Sequence, residues 1–340
     1  MINMLDSCLL KPDKALDSPL IAKDKSFCKI CSKVNKCKII KVKQTGKTLP
    51  EEFDYVFCKS CNSLTIKEIP TNLSEYYKDY YSLRPFTQKP LNSVSFYLKQ
   101  LSAKMPSPLN NLAFYSQHSI DSLPLHALFK IKPCANSKIL DVGCGTGKFV
   151  YDLHNLGFHN AIGIDPFIKS DIQYKNGAKI FKKDLKDIDE KFDIIVFNHT
   201  FEHFLELDSP INFIKSNLDV NGTCIIRIPN IDSYSFKQFG ANWTGIHAPY
   251  HLYLPSYKAV TYLFGKAGMQ ISFTQGEQLY HFLLSNIDNS FDLIYDTRKM
   301  FREFSKIHTK FDLKYAKKKS KQILKQTNLC EWLAYYIKFN

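Results

Sequence analysis

The chain has 340 residues and a formal net charge of +14, from 46 Lys or Arg against 32 Asp or Glu. Its hydrophobic content of 44% is that of a globular protein, and its length favours about two domains. No run approaches the ~20 apolar residues of a membrane span, and Met1-Ile2-Asn3-Met4-Leu5-Asp6 lacks the charged start of a signal peptide, so a soluble, cytoplasmic protein is expected.

Residues 1–26 carry two prolines and no clear period and read as a mobile tail. Residues 27–70 hold Cys28-x-x-Cys31 and Cys58-x-x-Cys61, four of the ten cysteines. Each pair can place two thiolates on one tight turn, and two such turns close a tetrahedral zinc site. The 26 residues between the pairs leave room for short strands, as in a zinc ribbon. Val34–Val42 and Phe53–Phe57 suit such strands, with Thr45-Gly46-Lys47 as a turn. A four-cysteine site is closed, so its zinc would be structural. Residues 71–135 are rich in Tyr, Pro and Asn. They predict a connector with short helices at Val94–Ala103 and Ser119–Ile131, placed to cover an active site.

Residues 136–340 alternate strand and helix, which predicts a mostly parallel sheet with helices on both faces. The first strand, Lys138-Ile139-Leu140, runs into Asp141-Val142-Gly143-Cys144-Gly145-Thr146-Gly147 and then a helix from Phe149. Glycines there let the backbone approach a ligand and aim free N–H groups at it. The G-x-G-x-G spacing differs from the G-x-G-x-x-G of a dinucleotide site, and no G-K-S/T follows as in a P-loop. Cys144 reads as a small residue of the turn. Asp165 ends the next apolar run, Ala161–Ile164, where an acid can accept hydrogen bonds from a ribose diol.

Asp141–Gly147 with Asp165 resembles the cofactor site of class I S-adenosylmethionine-dependent methyltransferases. Lys179–Leu185 resembles that family's third strand, Phe192–His199 its fourth and Gly222–Asn230 its fifth. The resemblance covers residues 136–340 and implies a Rossmann-like seven-stranded α/β sheet. It places Asp141, Gly143, Cys144, Gly145, Gly147, Asp165, Asp184, Leu185 and Asn198 around S-adenosylmethionine, with Asp184 on the adenine amine. Met269–Thr274 becomes the sixth strand, and Cys330–Lys338 the final strand, antiparallel between the fifth and sixth. Residues 280–325 read as a helical insertion.

Open α/β sheets bind ligands at the carboxyl ends of their strands. Asn198, His199, Glu202 and His203 follow the fourth strand; Trp243, His247, Tyr250 and His251 follow the fifth. Glu202-His203 reads as the first turn of a helix, with the acid complementing its dipole. Histidine suits general-base work near neutral pH. His251 is the first candidate and His199 the second, with Glu202 and His247 beside them. The double C-x-x-C segment joined to this domain is similar to the sugar methyltransferases of bacterial polysaccharide and deoxysugar pathways. Where the C-methylating members have Tyr-His-Glu-His, this chain has Ala248-Pro249-Tyr250-His251. O-methylation of a sugar, nucleotide-sugar or surface-glycan precursor is therefore slightly favoured over C-methylation. Residues 297–325 carry eleven Lys or Arg against two acids. Such a stretch suits an anionic substrate, a membrane surface or nucleic acid, which keeps an RNA-modifying methyltransferase and a non-catalytic binding protein as alternatives.

Overall fold

The computed structural model describes residues 27–33, 37–44, 51–77, 81–86, 88, 123–278, 283 and 310–340. The expected tail, the Thr45–Lys47 turn, the Val94–Ala103 helix and most of the 280–325 insertion lie outside the described residues. Three antiparallel strands open the fold: β1 (Cys37–Lys43), β2 (Glu52–Cys58) and β3 (Ser63–Ile66). The turn between β2 and β3 ends on Asn62, whose φ of 55° an asparagine tolerates better than most residues. A short helix, α1 (Leu73–Tyr76), begins the connector, and α2 (Leu123–Phe129) occupies the centre of the expected 119–131 helix.

The larger sheet follows the expected alternation. Its elements in chain order are β4 (Ile139–Val142), α3 (Lys148–Asn155), β5 (Ala161–Ile164), β6 (Ile172–Gln173), β7 (Lys179–Phe181) and β8 (Phe192–Asn198). Then come α4 (Asp208–Asn217), β9 (Leu218–Pro229), α5 (Tyr234–Phe239), β10 (Tyr253–Leu254), α6 (Tyr257–Lys266), β11 (Met269–Glu277), α7 (Lys310–Ile323) and β12 (Trp332–Phe339). The strand order is β11-β12-β9-β8-β4-β5-β7-β6. β9, β8, β4, β5 and β7 are parallel, while β12 lies antiparallel between β9 and β11. That is the Rossmann-like sheet the resemblance implies, with β6 added at its edge. β12 shows no alternation because six of its eight residues are buried, as a strand covered on both faces requires. The antiparallel edge strand β6 is too short to leave a sequence signal.

β10 does not join the larger sheet. It pairs with β3 (Tyr253↔Thr65, Leu254↔Leu64) and completes a four-stranded sheet β1-β2-β3-β10. Ile66 N–H donates to Leu252 O at 3.0 Å, and Phe57 packs on Phe236. Ser256 caps α6, accepting from Ala259 N, while its hydroxyl donates to Cys61 O. Cys28, Tyr55 and Leu64 share one hydrophobic core with Ile195, Phe197 and Leu254. A segment as small as 27–70 buries too little apolar surface alone, and here it borrows its core from the domain it precedes.

Candidate functional site

The glycine turn leaves β4 with Gly143, Gly145 and Gly147 all at positive φ. The Gly143 and Cys144 N–H groups donate to Ile164 O, at 2.8 and 3.2 Å, which ties the turn to β5. A Cβ on Gly147 would stand 2.1 Å from Ile180 Cδ1, and one on Gly143 2.2 Å from Thr200 Cγ2. The turn is thus wedged between β7 and the exit of β8. Gly163 has the same role towards Cys144, whose Sγ fills the space a side chain there would need. Burial pushes the Cys144 thiol up, in keeping with a packing role.

Asp165 is buried. Its Oδ2 accepts from Gly145 N–H at 2.9 Å and its Oδ1 from Phe167 N–H at 2.8 Å. Each oxygen keeps a lone pair for a ligand hydroxyl. Burial raises its pKa against the pull of those N–H groups. Asp141 is also buried, and its Oδ1 has no hydrogen-bond partner among the described residues. Burial, with the Asp165 charge adding, pushes Asp141 up to about 8. A buried carboxyl group with one unpartnered oxygen beside a glycine turn fits a ligand bearing a cationic group, as the methionine end of S-adenosylmethionine does. Leu185 is buried beside this region. Asp184 is exposed and caps the turn Leu185–Asp187 by accepting from Leu185 N–H.

Asp141 makes the free protein pH-sensitive. Below the ordinary carboxylate range both folded and unfolded chains hold the proton, and Asp141 contributes nothing. Between that range and about pH 8 the folded chain keeps a proton that the unfolded chain has lost. Stability therefore falls as pH rises through this window and then levels off. Asp141→Asn is expected to remove the fall, leaving the free protein more stable than wild type near pH 8 by roughly 1–3 kcal/mol. The two should match near pH ~4. Urea titrations at both pH values check this.

Described residues of the connector contact the donor side. Thr146 N–H donates to Ser82 O at 3.1 Å and Thr146 Oγ1 to Arg84 O at 3.1 Å. Tyr77 stacks on Phe167, two residues beyond Asp165, and its hydroxyl stands 2.9 Å from His203 Nδ1. Tyr77 was not singled out in the sequence, where it is one of several tyrosines between 76 and 81.

β8 ends in Asn198, and His199 follows at φ 55°, which turns the chain back toward Gly143. The expected helix start is instead a single 3-10 turn, Phe201–His203, and Glu202 points inward, fully buried. It is not a solvated dipole partner. His199 Nδ1 and His251 Nε2 lie 3.4 and 3.8 Å from Glu202 Oε1. Neither oxygen of Glu202 has a hydrogen-bond partner among the described residues, and burial pushes it up to about 8. His203 and His251 rings are 4.9 Å apart, and His247 and His251 rings 5.1 Å. Burial holds His199, His247 and His251 well below the usual imidazole range and takes His203 down to about 4. His251 Nδ1 faces Gly245 O at 2.9 Å, so that nitrogen carries the proton and Nε2 presents a lone pair.

Trp243, expected to face the transferring group, is instead a core residue. It is buried against Phe236 and Gly245, and its Nε1 donates to Glu331 at 2.6 Å. Arg227 and Glu277 carried no sequence signal. Arg227 on β9 pairs with Glu277 on β11 through two bonds, 3.0 and 2.5 Å, across β12. Arg227 also donates to Asn198 Oδ1, fixing the amide at the end of β8.

The four cysteines of the pairs converge, their Sγ atoms all within 4.8 Å of one another. Cys28 and Cys61 Sγ are 3.6 Å apart, and Cys31 and Cys58 Sγ 3.7 Å. These separations are far beyond a disulfide and close to the ~3.8 Å edge of a zinc–thiolate tetrahedron with ~2.3 Å bonds.

Comparison with known proteins bears on the family and the fold. A family model described as a methyltransferase domain matches residues 97–272, more than half of the chain. The mitochondrial ubiquinone biosynthesis O-methyltransferase of Bos taurus is 32% identical over 119 residues, 31% of this chain and 32% of the relative. The ubiquinone biosynthesis O-methyltransferase of Pelagibacter ubique is 32% identical over 127 residues, 33% of this chain and 51% of the relative. The tRNA U34 carboxymethyltransferase of Campylobacter hominis is 27% identical over 105 residues, 28% and 37% of the two chains. The chain thus spans about a third to a half of the length of these curated relatives. Among solved structures, an S-adenosylmethionine-dependent methyltransferase from Mesorhizobium loti aligns with a TM-score of 0.41 and 11% identity, over 62% of this chain and 95% of that one. With its family match over more than half of its length, the chain belongs to the methyltransferase-domain family.

Proposed function

We propose that the chain methylates a hydroxyl of a sugar, nucleotide-sugar or surface-glycan precursor. The observation that carries this reading is the buried Glu202 set among His199, His203 and His251, two residues after Thr200, which packs against Gly143 of the glycine turn. Bound on that turn, S-adenosylmethionine supplies a methyl group already activated on a sulfonium. Asp141 would hold its ammonium and Asp165 its ribose hydroxyls, with Leu185 and Asn198 along the rest of the cofactor and Asp184 at the adenine edge. The chain's remaining task is to orient the acceptor and take its proton. His251 and His199, both neutral and close to Glu202, are the proton acceptors, and Glu202, once ionised, stabilises the imidazolium that forms. Tyr77 and Tyr250 stand beside His203, and an aromatic face there suits a sugar ring. Two of the relatives are named as O-methyltransferases, in line with a hydroxyl acceptor.

The converged cysteines would hold a structural zinc ion, and zinc-module sugar methyltransferases are what residues 27–70 resemble. The RNA reading draws on α7, where Lys314, Lys317, Lys318 and Lys321 are exposed, and on the tRNA-modifying relative. Transfer of labelled methyl groups to a panel of sugars, nucleotide-sugars, phenols and RNA separates these. Incorporation into the sugar hydroxyls is expected, with Glu202→Gln lowering kcat roughly 10²–10⁴-fold. Incorporation into RNA or phenols alone would overturn the sugar reading.

A further inference from the structure

We propose that Glu202, His203 and His251 form a second metal site, for a divalent first-row transition-metal ion, on the acceptor side of the cleft. The inference rests on the reading of this cluster as the acceptor site and adds to it how the hydroxyl is made acidic. One ligand atom from each of the three residues lies within 4.8 Å of the others. A single ion with bonds of ~2 Å spans such a set after a small closing of the side chains.

The surroundings are those of ligands. His251 Nδ1 is 2.9 Å from Gly245 O, and His203 Nδ1 is 2.9 Å from Tyr250 O. A backbone carbonyl on Nδ1 fixes the tautomer and turns the Nε2 lone pair toward the ion, the usual outer-shell arrangement of metal-bound histidine. Glu202 is fully buried, with neither oxygen hydrogen-bonded among the described residues. A carboxylate in that position is costly unless a cation accompanies it. Two imidazoles and one carboxylate suit zinc, iron(II), cobalt(II) or manganese(II) better than calcium or magnesium. Three protein ligands leave a coordination position for substrate.

His203 is only partly buried, the least covered of the three, and lies beside Tyr77 and Tyr250, so an acceptor would approach from its side. An acceptor hydroxyl bound there would lose its proton more easily. With His251 engaged as a ligand, the proton goes to His199. The O–H bond breaks as His199 takes the proton, the O–C bond forms, and the S–C bond breaks with its electron pair remaining on sulfur.

The test is metal stoichiometry on the full chain, stripped with a chelator and dialysed against Co²⁺. Cobalt in the four-cysteine site gives intense thiolate charge-transfer absorption; cobalt on nitrogen and oxygen gives only weak d–d bands. Wild type is expected to bind two equivalents, one of each kind. Glu202→Gln and His251→Gln should each lose the second equivalent and keep the thiolate signature. A wild-type protein that binds one equivalent, with thiolate bands only, overturns the proposal whatever the variants do. So does a second equivalent that persists in both variants. If sugar hydroxyls are methylated at full rate with the four-cysteine metal alone, this site fails and the acceptor reading stands. If the second equivalent binds as expected and no sugar hydroxyl is methylated, the acceptor reading fails and the metal site stands.

Discussion

If the four cysteines hold zinc as proposed, Cys58→Ser should abolish that binding and methyl transfer together, while leaving donor binding within a few-fold of wild type at temperatures where the variant stays folded. Cys58 is fully buried, at the end of β2 and the corner of the thiolate cluster. A structural zinc site contributes its binding energy to folding, so a loss of at least roughly 3 kcal/mol is expected, the scale of removing a native cross-link. The effect reaches the chemistry by a short route. β3 pairs with β10, and β10 begins two residues after His251. Tyr55 on β2 is buried and donates to His251 O at 2.9 Å. Ser256 and Lys258 bond the carbonyls of Cys61 and Ser60. The cysteine module therefore holds the loop that carries His247 and His251. The donor side, built from β4, β5, β7 and β8, touches none of these bonds. Metal content, urea unfolding and label transfer, measured together, check each part.

Glu277→Ala is the second large effect. Arg227 is buried and its guanidinium also lies over the Trp332 ring, 5.8 Å from the centroid. Removing its carboxylate strands a buried cation, which costs about 3–5 kcal/mol. Replacing both partners, as Arg227→Met with Glu277→Leu, should recover much of that loss, because paired apolar residues avoid the desolvation penalty. Denaturant midpoints of the single and double variants test this. A Glu277→Ala protein as stable as wild type would show that the pair contributes nothing net.

The donor side was legible because its constraints are local. Three glycines at fixed spacing, an acid before them and Asp165 beyond the next strand lie within 25 residues of chain. The glycines are required by backbone geometry and Asp165 by its hydrogen bond to the turn. β12 was legible by its lack of alternation together with family resemblance. The acceptor side is assembled from distant pieces. Tyr77 meets His203 across 126 residues and Tyr55 meets His251 across 196. Tyrosine and histidine types alone do not encode such contacts. The Arg227–Glu277 pair, 50 residues apart, looked like ordinary strand charges. Trp243 was misplaced because its loop carries His247 and His251 while its own side chain turns into the core. β10 has two residues and gains its pairing only from β3, so no periodicity could reveal it. Glu202 was placed at a helix start because an acid there usually serves the dipole; the chain instead makes one tight turn and buries it.

The two halves of the site are separable by calorimetry with S-adenosylhomocysteine. Wild type should bind one equivalent. Asp165→Ala should weaken binding roughly 10–100-fold, the loss of a hydrogen-bonded ribose contact, whereas Glu202→Gln should leave it unchanged. Absence of binding heat in wild type, or equal weakening by both variants, would contradict a glycine-turn donor site set apart from a histidine–glutamate acceptor site.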